Sequence, residues 1–273
     1  MGKEVKLVKK VKRLLRRLGH PRWLHRFGPK TYEFFEHLAV LLMREFCKLS
    51  YRRVVQLFDL VGLRCPSKSA LQYTAAKLDA GFWQRVLKAT SGSVYLVAID
   101  STGFSRTNPS YHYLRRIDGK IPKIPVKMSC AFDTRKKKFC AAKIRVLPAH
   151  DIKDAGALLK ESDPKIAVAD KAYNAEKLYK QAHEQGVLLI IPKKANAKKG
   201  HYRKKMAKHF RTRTYNRRQL AESANSSIKR KYGHSVSSKK ARTIRTQIYT
   251  RLTCHNLISY LTRLLGQSRS TYP

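Results

Sequence analysis

The chain has 273 residues, enough for one large domain and a small one, and its 42% hydrophobic content excludes wholesale disorder. Its 60 Lys and Arg against 17 Asp and Glu give a formal charge of +43. Self-repulsion on that scale opposes compaction, so the balance points to a polyanionic partner. The basic residues run through the whole chain rather than along one amphipathic face, which favours nucleic acid over a membrane surface. The five cysteines are odd in number, widely spaced and without a CxxC pair. That argues against a disulfide framework and a cysteine-based zinc site, and for a reducing compartment. No apolar run approaches the length of a membrane span.

The first ~90 residues read as helical. Leu7, Val8, Val11, Leu14, Leu15 and Leu18 recur at helical spacing among basic residues. They predict a first helix that also touches phosphate, although an organelle presequence has the same texture. Helical spacing continues over Tyr32 to Lys48 and Tyr51 to Leu60, and breaks at Val61-Gly62-Leu63-Arg64-Cys65-Pro66. Ser67 is placed to cap a helix reaching about Leu78. Helix, Gly-containing turn and helix form a helix-turn-helix pattern, which simple helical packing also produces. Trp23 and Trp83 are candidates for base stacking or for the core.

Ser91-Gly92-Ser93 is a natural joint between a helical region, 1–92, and a strand-rich region beyond it. Val94 to Ile99 is a continuous apolar run ending at Asp100, as a central buried strand requires. Val126 to Phe132 and Lys138 to Val146 flank the polar stretch Asp133 to Lys137 and predict a hairpin. A helix starts at Ala155, a short strand Lys165 to Ala169 ends at Asp170, and a helix over Ala175 to Gln185 leads to a strand at Val187 to Ile191. The segment 193–214 is basic with little periodicity, and is expected to contact DNA as an arm. Tyr215 to Tyr232 and Ala241 to Leu265 read as helices, with a tail at 266–273. The order predicts a mixed α/β sheet flanked by helices, with a helical domain N-terminal to it.

Glu222 stands out on charge. From Gln185 to Pro273 there are 22 Lys and Arg and one acid, Glu222. A carboxylate weakens a phosphate-binding surface, so its presence there asks for a reason. One reason is an (i, i+4) ion pair with Arg218. Another is a metal site. Asp100 and Asp170 each follow a short apolar run, at the strand ends where open α/β sheets gather their ligands; an isolated Asp at such a place also serves as a turn cap. If the three carboxylates converge, each pair at ~4 Å repels by roughly 4 kcal/mol at an effective dielectric near 20. A hard divalent cation with oxygen ligands relieves that repulsion. On a helix, Tyr215, Arg218, Glu222 and Lys229 fall within an arc of about 60°. His150 and Asp151 follow a strand and are weaker candidates.

The spacing Tyr215-x2-Arg218-x3-Glu222-x6-Lys229 resembles the Y-(2)-R-(3)-E-(6)-K signature of DDE transposases from prokaryotic insertion sequences. Ala98-Ile99-Asp100-Ser101-Thr102 and Val168-Ala169-Asp170-Lys171-Ala172-Tyr173 are similar to the segments around that family's two aspartates. The resemblance covers roughly residues 93 to 262. It implies an RNase H-like catalytic domain, expected over 93–265, and a DDE triad of Asp100, Asp170 and Glu222 that binds two Mg²⁺ or Mn²⁺. The resemblance further implies that water, then a DNA 3′-hydroxyl, attacks phosphodiesters at the element's ends. Arg218 and Lys229 match positions expected to hold DNA phosphate, Tyr215 matches the signature tyrosine, and Lys171 and Arg217 are adjacent candidates for DNA contact. The implied partner is double-stranded DNA, met as a homodimer and without a membrane, in the cytoplasm at the nucleoid. Two other readings share parts of this pattern: a metal-dependent nuclease of the same fold, and a non-catalytic helix-turn-helix DNA-binding protein.

The charge alone makes a prediction. Affinity for duplex DNA should fall on the order of a thousandfold or more between 50 and 200 mM salt if about six phosphates are neutralised. Fluorescence anisotropy across a salt series measures this, and a flat log–log plot refutes it.

Overall fold

The computed structural model describes residues 3–25, 27, 30–106, 125–147, 149–194 and 199–267. The tail from 268 onward lies outside the described residues. The chain divides into two units, Met1–Thr90 with Lys231–Gly233 and Ser238–Pro273, and Ser91–Arg230 with His234–Ser237.

The second unit is built on a six-stranded sheet. Its strands are β1 (Leu96–Arg106), β2 (Val126–Asp133), β3 (Lys138–Arg145), β4 (Ile166–Ala169), β5 (Leu188–Ile190) and the short β6 (Ser235–Val236). The order is β3-β2-β1-β4-β5, with β6 paired to the far end of β1. β2 runs antiparallel to β1 and β3, while β4 and β5 run parallel to β1. This mixed order, with one strand reversed, is the RNase H-like arrangement.

The predicted hairpin is present. The Asp133 carboxylate accepts from the backbone N–H of Arg135 (2.8 Å) and Lys136 (3.0 Å), and closes the turn. Successive strand residues face opposite sides of the sheet. Val97, Ile99, Ala131, Ala167, Ala169 and Leu189 belong to a core shared with α6 (Ile152–Ser162), α7 (Glu176–Glu184) and α8 (His201–Ala207). The opposite parity on β1, namely Ala98, Asp100 and Phe104, faces α10 (Gln219–Tyr232), through Asn225 against Asp100 and Lys229 over the Phe104 ring. Helices on both faces explain why β1 reads as an unbroken apolar run.

Two expectations shift here. β1 does not end at Asp100; it continues to Arg106. Only the parallel ladder to β4 ends there, its last pair being Ile99 with Ala169, whereas pairing with β2 runs on to Phe104 with Val126. The basic stretch after Lys193 is not without order either. It contains α8 and the four-residue α9 (Thr212–Tyr215). Glu176 accepts from the backbone N–H of Tyr202 (2.8 Å) and Arg203 (3.3 Å), satisfying two of the donors that every helix start leaves open. Gly200 sits at φ +127°, and a Cβ there would meet the Glu176 carboxylate at 2.2 Å. Met206 anchors α8 in the core.

The helical unit contains α1 (Lys3–Arg17), α2 (Phe34–Phe46), α3 (Tyr51–Leu60), α4 (Lys68–Lys77), α5 (Ala80–Ser91) and α11 (Ala241–Gln267). Ser67 caps α4, its hydroxyl accepting from Ala70 N at 3.2 Å. Gly62, at φ +67°, makes the left-handed turn between α3 and α4. Trp83 is fully buried and stacks on Tyr249, so of its two proposed fates it takes the core. A buried ion cluster ties α2 to α11: Glu45 accepts from Arg44 Nη1 (2.6 Å) through one oxygen and from Arg251 Nε (2.9 Å) through the other. All three side chains are about 5% exposed.

Truncating Glu45 leaves two buried guanidinium groups without an anion. Glu45→Ala should cost about 3–5 kcal/mol, read from urea unfolding of the wild type and the variant. A loss below ~1 kcal/mol would show that the cluster is solvated and of little consequence.

Candidate active site

Asp100 and Asp170 occupy equivalent positions on neighbouring strands. Each is the residue after the last β1–β4 pair, Ile99 with Ala169. By parity both side chains project to the face that α10 covers. The β1–β4 ladder ends here, because β4 stops at Ala169 while β1 continues.

The third acid arrives on α10. Glu222 is in its first turn, exposed, and accepts from Arg218 Nη1 at 2.5 Å. The (i, i+4) pairing anticipated as an alternative is therefore formed. Arg218 is shared more widely. Burial by itself would lower its affinity for a proton, yet Glu222 holds it above its ordinary value, with Tyr215 and Asp170 adding to the effect. Burial pushes the Asp100 carboxyl above the usual carboxylate range. Glu222 pushes the same way, against hydrogen bonds from Ser101 and Asn225 and the field of Arg218. Asp100, Asp170, Glu222 and Arg218 thus share one electrostatic neighbourhood.

The signature helix differs from expectation in one respect. Tyr215 closes α9, and Asn216–Arg218 form a 3₁₀ turn before α10 begins at Gln219. Such turns are common at helix starts. In a 3₁₀ turn residues i and i+3 eclipse, and the Arg218 guanidinium lies 5.8 Å from the Tyr215 ring. Within α10, Glu222, Asn225 and Lys229 share one face, with Arg218 placed just before the helix begins.

Residues 93–257 of the chain, which carry this geometry, match the family model described as a transposase DDE domain. The chain belongs to the DDE-domain transposases. A solved structure, a cryo-EM piggyBac transposase synaptic complex with hairpin DNA, aligns over 96% of this chain and 73% of that one, at 11% identity and a TM-score of 0.48.

The remaining sequence candidates of this transposase differ in exposure and in their partners. Lys171 is exposed, and its backbone N–H donates to Asp170 Oδ1 at 2.7 Å, so Asp170 also caps the 3₁₀ turn Lys171–Tyr173. Arg217 is exposed. Lys229 is half-buried, its ammonium 5.8 Å from the Phe104 ring. His150 takes no part in these contacts. Its neighbour Asp151 accepts from the Ser101 hydroxyl at 2.9 Å and pairs with Lys127.

Two residues that sequence reasoning passed over touch the site directly. Asn225 donates through Nδ2 to Asp100 Oδ2 at 2.9 Å. Cys130, the cross-strand partner of Asp100, contacts Asn225 Oδ1 through Sγ at 3.5 Å. Asn225 had a signal, since it lies three residues beyond Glu222 on the same helical face. Cys130 had none, because the strand register that opposes it to Asp100 is not written in either strand alone.

The donor set suits a hard cation: carboxylate oxygens, with burial opposing the ionisation of Asp100. Among the described residues no group of three His, Cys, Asp or Glu is gathered tightly enough to hold a metal ion. Glu222 is paired with Arg218.

Asp100 gives a pH prediction. Its folded pKa is raised, so the unfolded chain releases this proton first, and the metal-free protein loses stability as pH rises from about 4 through the folded value. Asp100→Asn removes that loss. Without divalent cations its Tm at pH 7 should exceed the wild type's, and the gain should vanish by about pH 3. Differential scanning calorimetry at the two pH values is the check, and a lower Tm at pH 7 counts against it.

Proposed function

We propose that this transposase cleaves DNA at the ends of an insertion sequence and joins the freed ends to target DNA, with Asp100, Asp170 and Glu222 as its metal-binding and catalytic triad. The observation that supports it most is the matched placement of Asp100 and Asp170 on β1 and β4, with Glu222 brought into the same electrostatic field by α10. Two divalent cations, Mg²⁺ or Mn²⁺, supply activation of the attacking oxygen and neutralisation of charge on the transferred phosphate. The triad holds them through hard oxygen donors.

The chain's own groups do the rest. Arg218 is a planar fork suited to bidentate phosphate binding. DNA phosphate competes with Glu222 for it, and an Arg218 engaged by phosphate releases Glu222 toward the aspartates. Lys229 adds a point charge further along the same face, and exposed Lys171 and Arg217 extend the cationic rim. Tyr215 supports the Arg218 guanidinium. The reaction is in-line displacement at phosphorus: water attacks first and leaves a 3′-hydroxyl, which then displaces a 3′-oxygen in the target strand. Two ends are processed together, so the chain acts as a homodimer on DNA. The helical unit, with α3 and α4 in helix-turn-helix order, and the basic 193–214 segment serve DNA binding. Among the described residues no helix is long and apolar enough to cross a membrane.

Glu222→Gln and Asp100→Asn should each lower Mg²⁺- or Mn²⁺-dependent cleavage of end-bearing DNA roughly a thousandfold, the rate equivalent of losing several kcal/mol of charge stabilisation. Undiminished cleavage in either variant overturns the triad. Equal cleavage of unrelated DNA would mark a nuclease rather than a transposase.

A further inference from the structure

Behind Asp100 lies a chain of contacts that the triad chemistry does not use. Asp100 on β1 and Cys130 on β2 are directly paired across the antiparallel ladder, so their side chains share one face. Asn225 comes down on them from α10 and is almost fully buried, 4% exposed. Its amide nitrogen donates to Asp100 Oδ2 at 2.9 Å, and its amide oxygen receives the Cys130 Sγ contact at 3.5 Å. A carboxylate only accepts and a buried thiol has a proton to give, so one orientation of the amide satisfies both neighbours. Reversed, the amide would set its oxygen against a carboxylate oxygen.

Asn225 lies three residues from Glu222 on one helix. The same side chain therefore fixes the rotation of Asp100 and ties the element that carries Glu222 to the strand that carries Asp100. Partners that orient metal-ligating carboxylates in this way typically carry a 10–100-fold effect on metal affinity or activity.

We infer that Asn225 is a positioning residue for the metal site, holding the Asp100 carboxylate in its binding orientation, and that the Cys130 thiol holds Asn225 in turn. This rests on the reading of Asp100 as a metal ligand. Neither residue touches the reacting atoms; both act through Asp100.

Mn²⁺ titration of the full-length protein by calorimetry tests this without relying on turnover. Asn225→Ala should raise the Mn²⁺ Kd about 10–100-fold. Cys130→Ser keeps a donor and should bind as the wild type does, whereas Cys130→Ala should bind more weakly. In an Asp100→Asn background, Asn225→Ala should add no further loss, as expected for two groups acting as one unit. An unchanged Kd in Asn225→Ala overturns the inference. So does a Cys130→Ala protein that binds as tightly as Cys130→Ser, a comparison that remains open if Asn225→Ala does not fold. If Asp100→Asn itself leaves Mn²⁺ binding intact, the active-site reading fails instead, and the two failures are distinguishable.

Discussion

Two aspartates that follow the last pair of neighbouring parallel strands set the problem that the surrounding residues answer. The β1–β4 register ends at Ile99 and Ala169, and the next residue on each strand is Asp100 or Asp170. Backbone hydrogen bonds therefore set the two aspartates at equivalent positions, one residue past the last β1–β4 pair. α10 then brings a third carboxylate, Glu222, into range. Compensation in the free protein comes from within the same helix face. Arg218 pairs with Glu222 and is drawn by Asp170, while Asn225 donates to Asp100.

That arrangement makes the site responsive to its partners. A guanidinium shared among carboxylates is a good provisional counter-ion and an equally good phosphate ligand. On the proposed reading, DNA phosphate that engaged Arg218 would change the charge balance around Glu222. The proposed phosphate binding and the proposed triad would then be linked through this one side chain, just ahead of α10.

The neighbouring basic segment shows how a charged stretch acquires order without a hydrophobic pattern. Glu176, at the start of α7, satisfies open backbone donors at the start of α8, and Gly200 allows the approach. Met206 supplies one apolar anchor. Glu176 comes soon after Asp170 in the chain, so the segment is tethered near the second aspartate while most of its lysines and arginines stay at the surface.

The sequence by itself determined five of the six sheet strands, the hairpin and the N-terminal helices, and singled out three acids as candidates. These follow from apolar runs, turn residues and the scarcity of acids around Glu222, all of which are local patterns. It did not determine that β1 runs past Asp100, because a strand's end is set by which neighbours pair with it, and β2 continues where β4 stops. Nor did it reveal the 3₁₀ turn at Asn216–Arg218, since 3₁₀ and α spacing place residues i and i+3 almost alike. The contacts of Asp100 with Asn225 and Cys130 were decided only by tertiary structure, because strand register and helix docking join residues 125 and 30 positions away from it. Local pattern names the chemistry; long-range pairing orients it.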